Sequence, residues 1–195
     1  MALIVIAALV LLGCGSAATP PRGSGQIPAA VAAGVRPIGR GERFQPPLRH
    51  EAVPTCRRAL GGRFGAHVEL FAADRVMLVA AGIGVRPPLE FLGGRIVKAG
   101  CYGDLVTLEP TGLVLVREGA RRTVGDLFQA WGQPLSARRL ASFASSPGRV
   151  VEAYVGGRRR HGPPEQIPLQ RHAEIVLEVG PHVPPHGTYT FPLGL

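Results

Sequence analysis

Cys101–Pro134, CYGDLVTLEPTGLVLVREGARRTVGDLFQAWGQP, is the stretch that decides the fold. Within it Leu105–Glu109 and Leu113–Arg117 flank Pro110-Thr111-Gly112. Pro is favoured at the second position of a tight turn and Gly at the fourth, so the pair reads as a β-hairpin. Thr123 then stands as a helix N-cap, and Asp126 three residues on completes a capping-box-like pair. Val124, Leu127, Phe128 and Trp131 recur at i, i+3, i+4 and i+7, which is one face of a helix. Gly132 fits the C′ position, and Pro134 prevents continuation. A helix this short must lay its apolar face on something, and the hairpin supplies the surface. Those four side chains are therefore expected in the core.

Upstream, Ala66–Ala72 alternates Val68 and Leu70 against His67, Glu69 and Phe71. Ala73-Asp74-Arg75 reads as a turn and Val76–Ala80 as the returning strand. Ala81–Val85 then leaves the sheet. Its glycines do not form GxGxxG, and no P-loop lysine follows, which argues against a nucleotide site. Arg86–Gly94 reads as loop and Arg95–Lys98 as a short strand. Downstream, Ala137–Phe143 reads as a helical turn, Arg149–Val155 as a strand, and Gly156-Gly157 as the turn before Arg158–Arg160. His172–Val179 reads as a strand with Ala173, Ile175, Leu177 and Val179 inward, and His172, Glu174 and Glu178 outward with Val176. Residues 181–195 form a Pro-rich tail that cannot join a central strand.

Two hairpins, a helix and two further strands predict a small α+β domain over residues 50–180. The order resembles the β-grasp arrangement. An all-β sandwich with its helix in a loop is the alternative.

Among the 195 residues Gly (27) and Pro (19) reach about twice their usual share, so part of the chain is expected to lack a core. The net charge of +9 is carried almost wholly by arginine, since Lys98 is the only lysine. The arginines are scattered and no aromatics interleave with them, unlike a base-stacking surface. They read as a solvated face. No specific nucleic-acid partner and no cofactor are expected.

Residues 2–12, ALIVIAALVLL, form an apolar run too short to span a bilayer, and they fit the core of a signal peptide. The run ends in Leu11-Leu12-Gly13-Cys14, which resembles the lipobox of bacterial lipoproteins. That resemblance implies a signal peptide over 1–13 and lipidation of Cys14. A Pro/Gly/Ala-rich tether would follow over 14–49, with the domain anchored to the cell membrane outside the cytoplasm. Cys56 and Cys101 then remain as an even pair in an oxidising compartment, and they read as one disulfide.

Cys56, AHVELFA, AAGIGV, Cys101-Tyr102, EPTG, TVGDLFQAWGQPL, VEAYVGG and IPLQRHAEI together resemble a family of secreted bacterial proteins with His-rich strand motifs and no established activity. The resemblance covers most of residues 50–195. It implies a His-x-His-x-His run into the first strand, a His-Thr-His-Asp segment after the cysteine-aromatic pair, and a further His on the return strand. Imidazoles on alternate strand positions can converge on one metal ion. In this chain most of them are replaced. The first run is Arg63-Phe64-Gly65-Ala66-His67, Val106 and Leu108 occupy the second segment, and Leu115 the third position. Whether Leu115 shares a face with Val106 depends on the hairpin register: a two-residue loop places them opposite, a type I turn with a G1 bulge does not.

No metal is expected. His67 is the weak candidate left, and it reads as a half-buried strand histidine. His182 and His186 have ligand-like spacing, but the prolines between them stop a helix and no cysteine or carboxylate is expected nearby. His161 sits among arginines, His50 in the loop leading into the domain, and His172 on the polar face of its strand. No Ser–His–Asp order, nucleophile elbow or close carboxylate pair is visible, so no catalytic residue is assigned. Asp126 and Glu109 read as structural.

Three functions compete. The first is a non-catalytic domain that binds another envelope component, against which a concave polar pocket would count. The second is a metal-binding or metal-handling envelope protein with a degenerate His site, which convergence of three or more His, Cys or Asp side chains would favour. The third is an enzyme of a type the residues do not name.

Overall fold

A computed structural model describes residues 55–72, 75–92, 94–183 and 188–195. The expected signal peptide, Cys14, the tether, His50 and His186 lie outside the described residues. Within them the chain is mostly strand, with one α-helix, α1 (Val124–Trp131). Thr123 caps it: its hydroxyl accepts from the Asp126 N–H, and the Asp126 carboxylate accepts from the Thr123 N–H at 2.7 Å. Gly132 closes the other end in the left-handed conformation at φ 73°, where a side chain would be strained. Val124, Leu127, Phe128 and Trp131 are all buried.

The helix lies on a sheet whose long strand is β1 (Arg63–Ala72). On one side β1 pairs antiparallel with β6 (Leu113–Arg117) and, further along, with β2 (Arg75–Met77); β6 in turn pairs with β5 (Leu105–Val106). On the other side it pairs in parallel with β12 (Glu174–Val179), from His67 opposite Glu174 to Ala72 opposite Val179. Strand β10 (Glu152–Val155) follows antiparallel to β12, and β11 (Arg158–Arg160) lies at the edge. The order is β11-β10-β12-β1-β6-β5. Among the described residues the first and last strands are thus central neighbours. Val106 pairs with Leu115, so these two side chains share a face.

The alternation of β1 sorts its side chains. Ala66, Val68, Leu70 and Ala72 join Val114, Val116, Ile175 and Leu177 beneath α1. His67, Glu69 and Phe71 point to the reverse face. Part of that face carries a second core of Val106, Leu108, Leu113, Leu115 and Tyr189. It is covered by a separate ribbon, β3 (Val85–Leu92) and β4 (Arg95–Tyr102), through Val85, Ile96, Ala99 and Tyr102. The ribbon is held at its base by the Cys56–Cys101 disulfide, with Cα atoms 5.4 Å apart, and by an isolated bridge between Arg57 and Tyr102.

Three local expectations are corrected. Arg86–Gly94 is not a loop: it supplies most of β3, and the ladder shifts register around Pro87 and Pro88. A two-stranded ribbon tolerates them because each strand has one free edge where a missing N–H costs no ladder bond. Ala137–Phe143 is not a helical turn: it belongs to a small meander, β7 (Leu135–Ser136), β8 (Arg139–Leu140) and β9 (Phe143–Ala144). Seven residues without caps do not repay helix nucleation, and burying Leu140 favours the meander. The Val76–Ala80 strand stops at Met77, because Ala80 and Ile83 turn to Thr107, whose hydroxyl donates to the Ala80 carbonyl at 2.6 Å and accepts from the Ile83 N–H.

Candidate functional site

The reverse face of β1, β12 and β10 is not covered by the ribbon. Register sets its side chains in rows: His67 beside Glu174, then Glu69 beside Val176 beside Tyr154, then Phe71 beside Glu178 beside Glu152. A groove of about 630 Å³ runs over these rows, closed at its sides by Gln170–His172, Val183 and Tyr189. Glu69, Glu174 and Glu178 are in its wall. Arg171 is there too, but its guanidinium is held by Glu118.

One end of the groove is built on His67. The ring is 2% exposed. Its Nε2–H donates to the Thr111 carbonyl at 2.9 Å, its Nδ1 lies 3.5 Å from Glu69 Oε1, and Tyr189 stacks on it with centroids 3.8 Å apart. Gly112 permits this packing. It sits at φ 82°, and a Cβ there would stand 2.4 Å from the Val68 carbonyl oxygen and 3.1 Å from His67 Nε2. Burial first, and the Glu109 charge second, push the Tyr189 phenol up to about 12. His67 is therefore fully buried rather than half-buried, and it is fastened to the hairpin turn. Val106, Leu108 and Leu115 fill the second core alongside it with apolar side chains. Arg63, first residue of the same run, spends its guanidinium on the carbonyls of Leu60, Gly103, Asp104 and Leu115. Burial lowers its pKa to about 10.

The other end was not legible in the sequence. Glu178 Oε1 accepts from His182 Nδ1–H at 2.6 Å, and Oε2 accepts from the Val183 N–H at 3.0 Å. Glu152 faces it from β10 and accepts from the Tyr154 hydroxyl at 2.8 Å and from Arg159 at 2.8 Å. Ligand atoms of Glu152, Glu178 and His182 all lie within 4.8 Å of one another. Burial, the Glu152 hydrogen bond and the two carboxylate charges hold the Tyr154 phenol above its ordinary range, so it remains a donor. This corrects two expectations. His182 does have a carboxylate beside it, and a close carboxylate pair does exist. Glu178 is also not outward in the sense of solvated, being 2% exposed. Alternation tells which residues share a face, not whether that face is covered; here 181–183 fold back over it. His172 precedes β12 at φ 58° and bonds the Leu195 carbonyl instead of lying within the strand.

No family model, curated protein or solved structure matches the chain.

Proposed function

We propose that the chain is a non-catalytic binding domain of a lipid-anchored extracytoplasmic protein, and that the reverse-face groove takes a small cationic ligand. The observation that carries this is a groove of about 630 Å³ walled by Glu69, Glu174 and Glu178 on a chain of net charge +9. A concentration of carboxylates against that background, partly screened from water, focuses a negative potential that attracts cations. Such a concave polar groove weighs against docking on another envelope protein as the main role. The order β6-β1-β12-β10-β11, with a parallel central pair and a helix between the second and third of these strands in sequence, supports a β-grasp domain in which β2–β5 are an insertion. We take its parentage to be the secreted family with His-rich strand motifs, its lost imidazoles replaced by the apolar second core. The cluster around His182 gives the metal-binding reading a separate basis, developed below.

Calorimetric titration of the mature chain tests the ligand class. Spermidine, Mg²⁺ and Zn²⁺ represent cations, and phosphate and citrate represent anions. Cations should bind and weaken in a Glu69→Gln/Glu174→Gln variant. Binding of anions alone would overturn the reading. The anchor is tested at Cys14: mass spectrometry should find a diacylglyceryl group there, and Cys14→Ser should release the protein from membranes. An unmodified N-terminus elsewhere would end that part.

A further inference from the structure

Glu178 is the least expected side chain in the molecule. It is a buried carboxylate on a central strand, and its direct cross-strand neighbour is a second glutamate, Glu152. Like charges placed opposite each other on a sheet are destabilising, and burying one of them raises the cost. Arg159 answers one of the two charges by bonding Glu152 Oε1. The Glu178 carboxylate accepts from His182 Nδ1–H, from the Val183 N–H and from the Tyr154 hydroxyl, and of these donors only the imidazole can carry a charge.

We propose that Glu152, Glu178 and His182 bind a divalent transition-metal ion such as Zn²⁺ at this end of the groove, which rests on reading the groove as a cation site. One imidazole nitrogen and two carboxylate oxygens form an N/O donor set of the kind such ions take, and three protein ligands leave a fourth position open to water or a bound molecule. Three atoms that lie within 4.8 Å of one another have a common point no more than about 2.8 Å from each, within about 0.7 Å of bonding distance. The parts that must move are those that can. His182 is more than half exposed and Glu152 one-third exposed, whereas Glu178 is fixed on β12. In the metal-free geometry the 2.6 Å Nδ1–H to Oε1 contact is shorter than the ~3.3 Å ligand separation of a tetrahedral zinc centre. The imidazole would give up that hydrogen bond and swing outward as the ion enters between them.

The surrounding bonds already orient the set. Val183 N–H holds Glu178 Oε2, and Arg159 holds Glu152 Oε1, leaving Glu178 Oε1 and Glu152 Oε2 to face the ion. The Tyr154 hydroxyl bonds Glu152 Oε2 through one lone pair and leaves the other. Partners of this kind fix a ligand's direction. The site is distinct from the lost imidazole cluster: it uses none of His67, Val106, Leu108 or Leu115, and it lies on the opposite side of β12 from β1.

The test is Co²⁺ titration of tag-free protein, read by the visible absorption of the bound ion, followed by displacement with Zn²⁺. One equivalent should bind. His182→Ala and Glu152→Gln should each weaken it about 10-fold or more, while His161→Ala, at an exposed position outside the groove, leaves it unchanged. Glu152→Gln is partly exposed and keeps the side-chain shape, so it remains informative if Glu178→Gln unfolds. Far-ultraviolet circular dichroism checks each fold. No saturable binding, equal binding by the His182 and Glu152 variants, or loss confined to His161→Ala would each overturn the proposal. If spermidine still binds in the groove while Co²⁺ and Zn²⁺ do not, the metal site fails and the groove reading stands. If no cation binds, both fail.

Discussion

Replacing Trp131 by Ala and by Phe should have very different effects. The indole is fully buried, tilted against Phe128 at 5.6 Å between centroids, and set at the last turn of α1 over the sheet. Truncation to Ala leaves a cavity that the capped helix cannot collapse into, and such changes cost about 3–5 kcal/mol. Phe removes three ring atoms, of which two are carbons, a loss of about 1.6 kcal/mol at ~0.8 kcal/mol per buried carbon. Against this, the indole Nε1–H is buried with no hydrogen-bond partner among the described residues. An unsatisfied buried donor costs about 1–3 kcal/mol, and Phe removes it. The two terms nearly cancel, so Trp131→Phe should lie within about 1 kcal/mol of the natural protein. Trp131 is the only tryptophan, so urea unfolding is followed by far-ultraviolet circular dichroism instead of fluorescence. A loss below about 1 kcal/mol in Trp131→Ala would refute the core assignment. A Phe variant as unstable as the Ala variant would show that Nε1–H has a partner.

Removing the disulfide by Cys56→Ser with Cys101→Ser opens a loop of sequence separation 45, which costs about 4 kcal/mol in the chain-entropy model; non-reducing peptide mapping should recover the linked peptides from the natural chain. Gly112→Ala forces a side chain into φ 82° against the Val68 carbonyl, whereas Gly119→Ala, at φ 79° with open space around it, bears only the backbone strain. Thermal melts should place the Gly112 variant lower by about 1 kcal/mol or more, and equal melts would refute the contact. Tyr189 keeps its proton to about 12 in the folded state against ~10 unfolded, so the contribution is intact below pH ~10 and is lost as the pH rises toward ~12. Tyr189→Phe should flatten that alkaline fall in stability, and an unchanged slope would contradict it.

The helix and its support were readable because each local signal agreed. Thr123, Asp126, Gly132 and Pro134 bound the helix, and Val124, Leu127, Phe128 and Trp131 mark its buried face. The Cys56–Cys101 pairing followed from counting. Strand β3 was not readable, because Pro87 and Pro88 normally exclude a strand and only pairing to β4 over a free edge reverses that. The site was half readable. The alternation in β1, β10 and β12 puts His67 with Glu69, Glu152 with Tyr154, and Glu174 with Glu178. What no sequence period shows is that β10 and β1 flank β12, so that Glu152 meets Glu178, or that Pro181–Val183 returns His182 over them.

Paramagnetic Mn²⁺ broadens amide resonances wherever cations collect, and it tests the reverse-face groove most directly. Added in substoichiometric amounts to ¹⁵N-labelled protein, it should broaden His67–Phe71, Glu152–Tyr154 and Glu174–Glu178 first, the three segments whose side chains wall or border the groove. Broadening centred on the β3–β4 ribbon, spread evenly over the surface, or absent from these three segments would contradict the account.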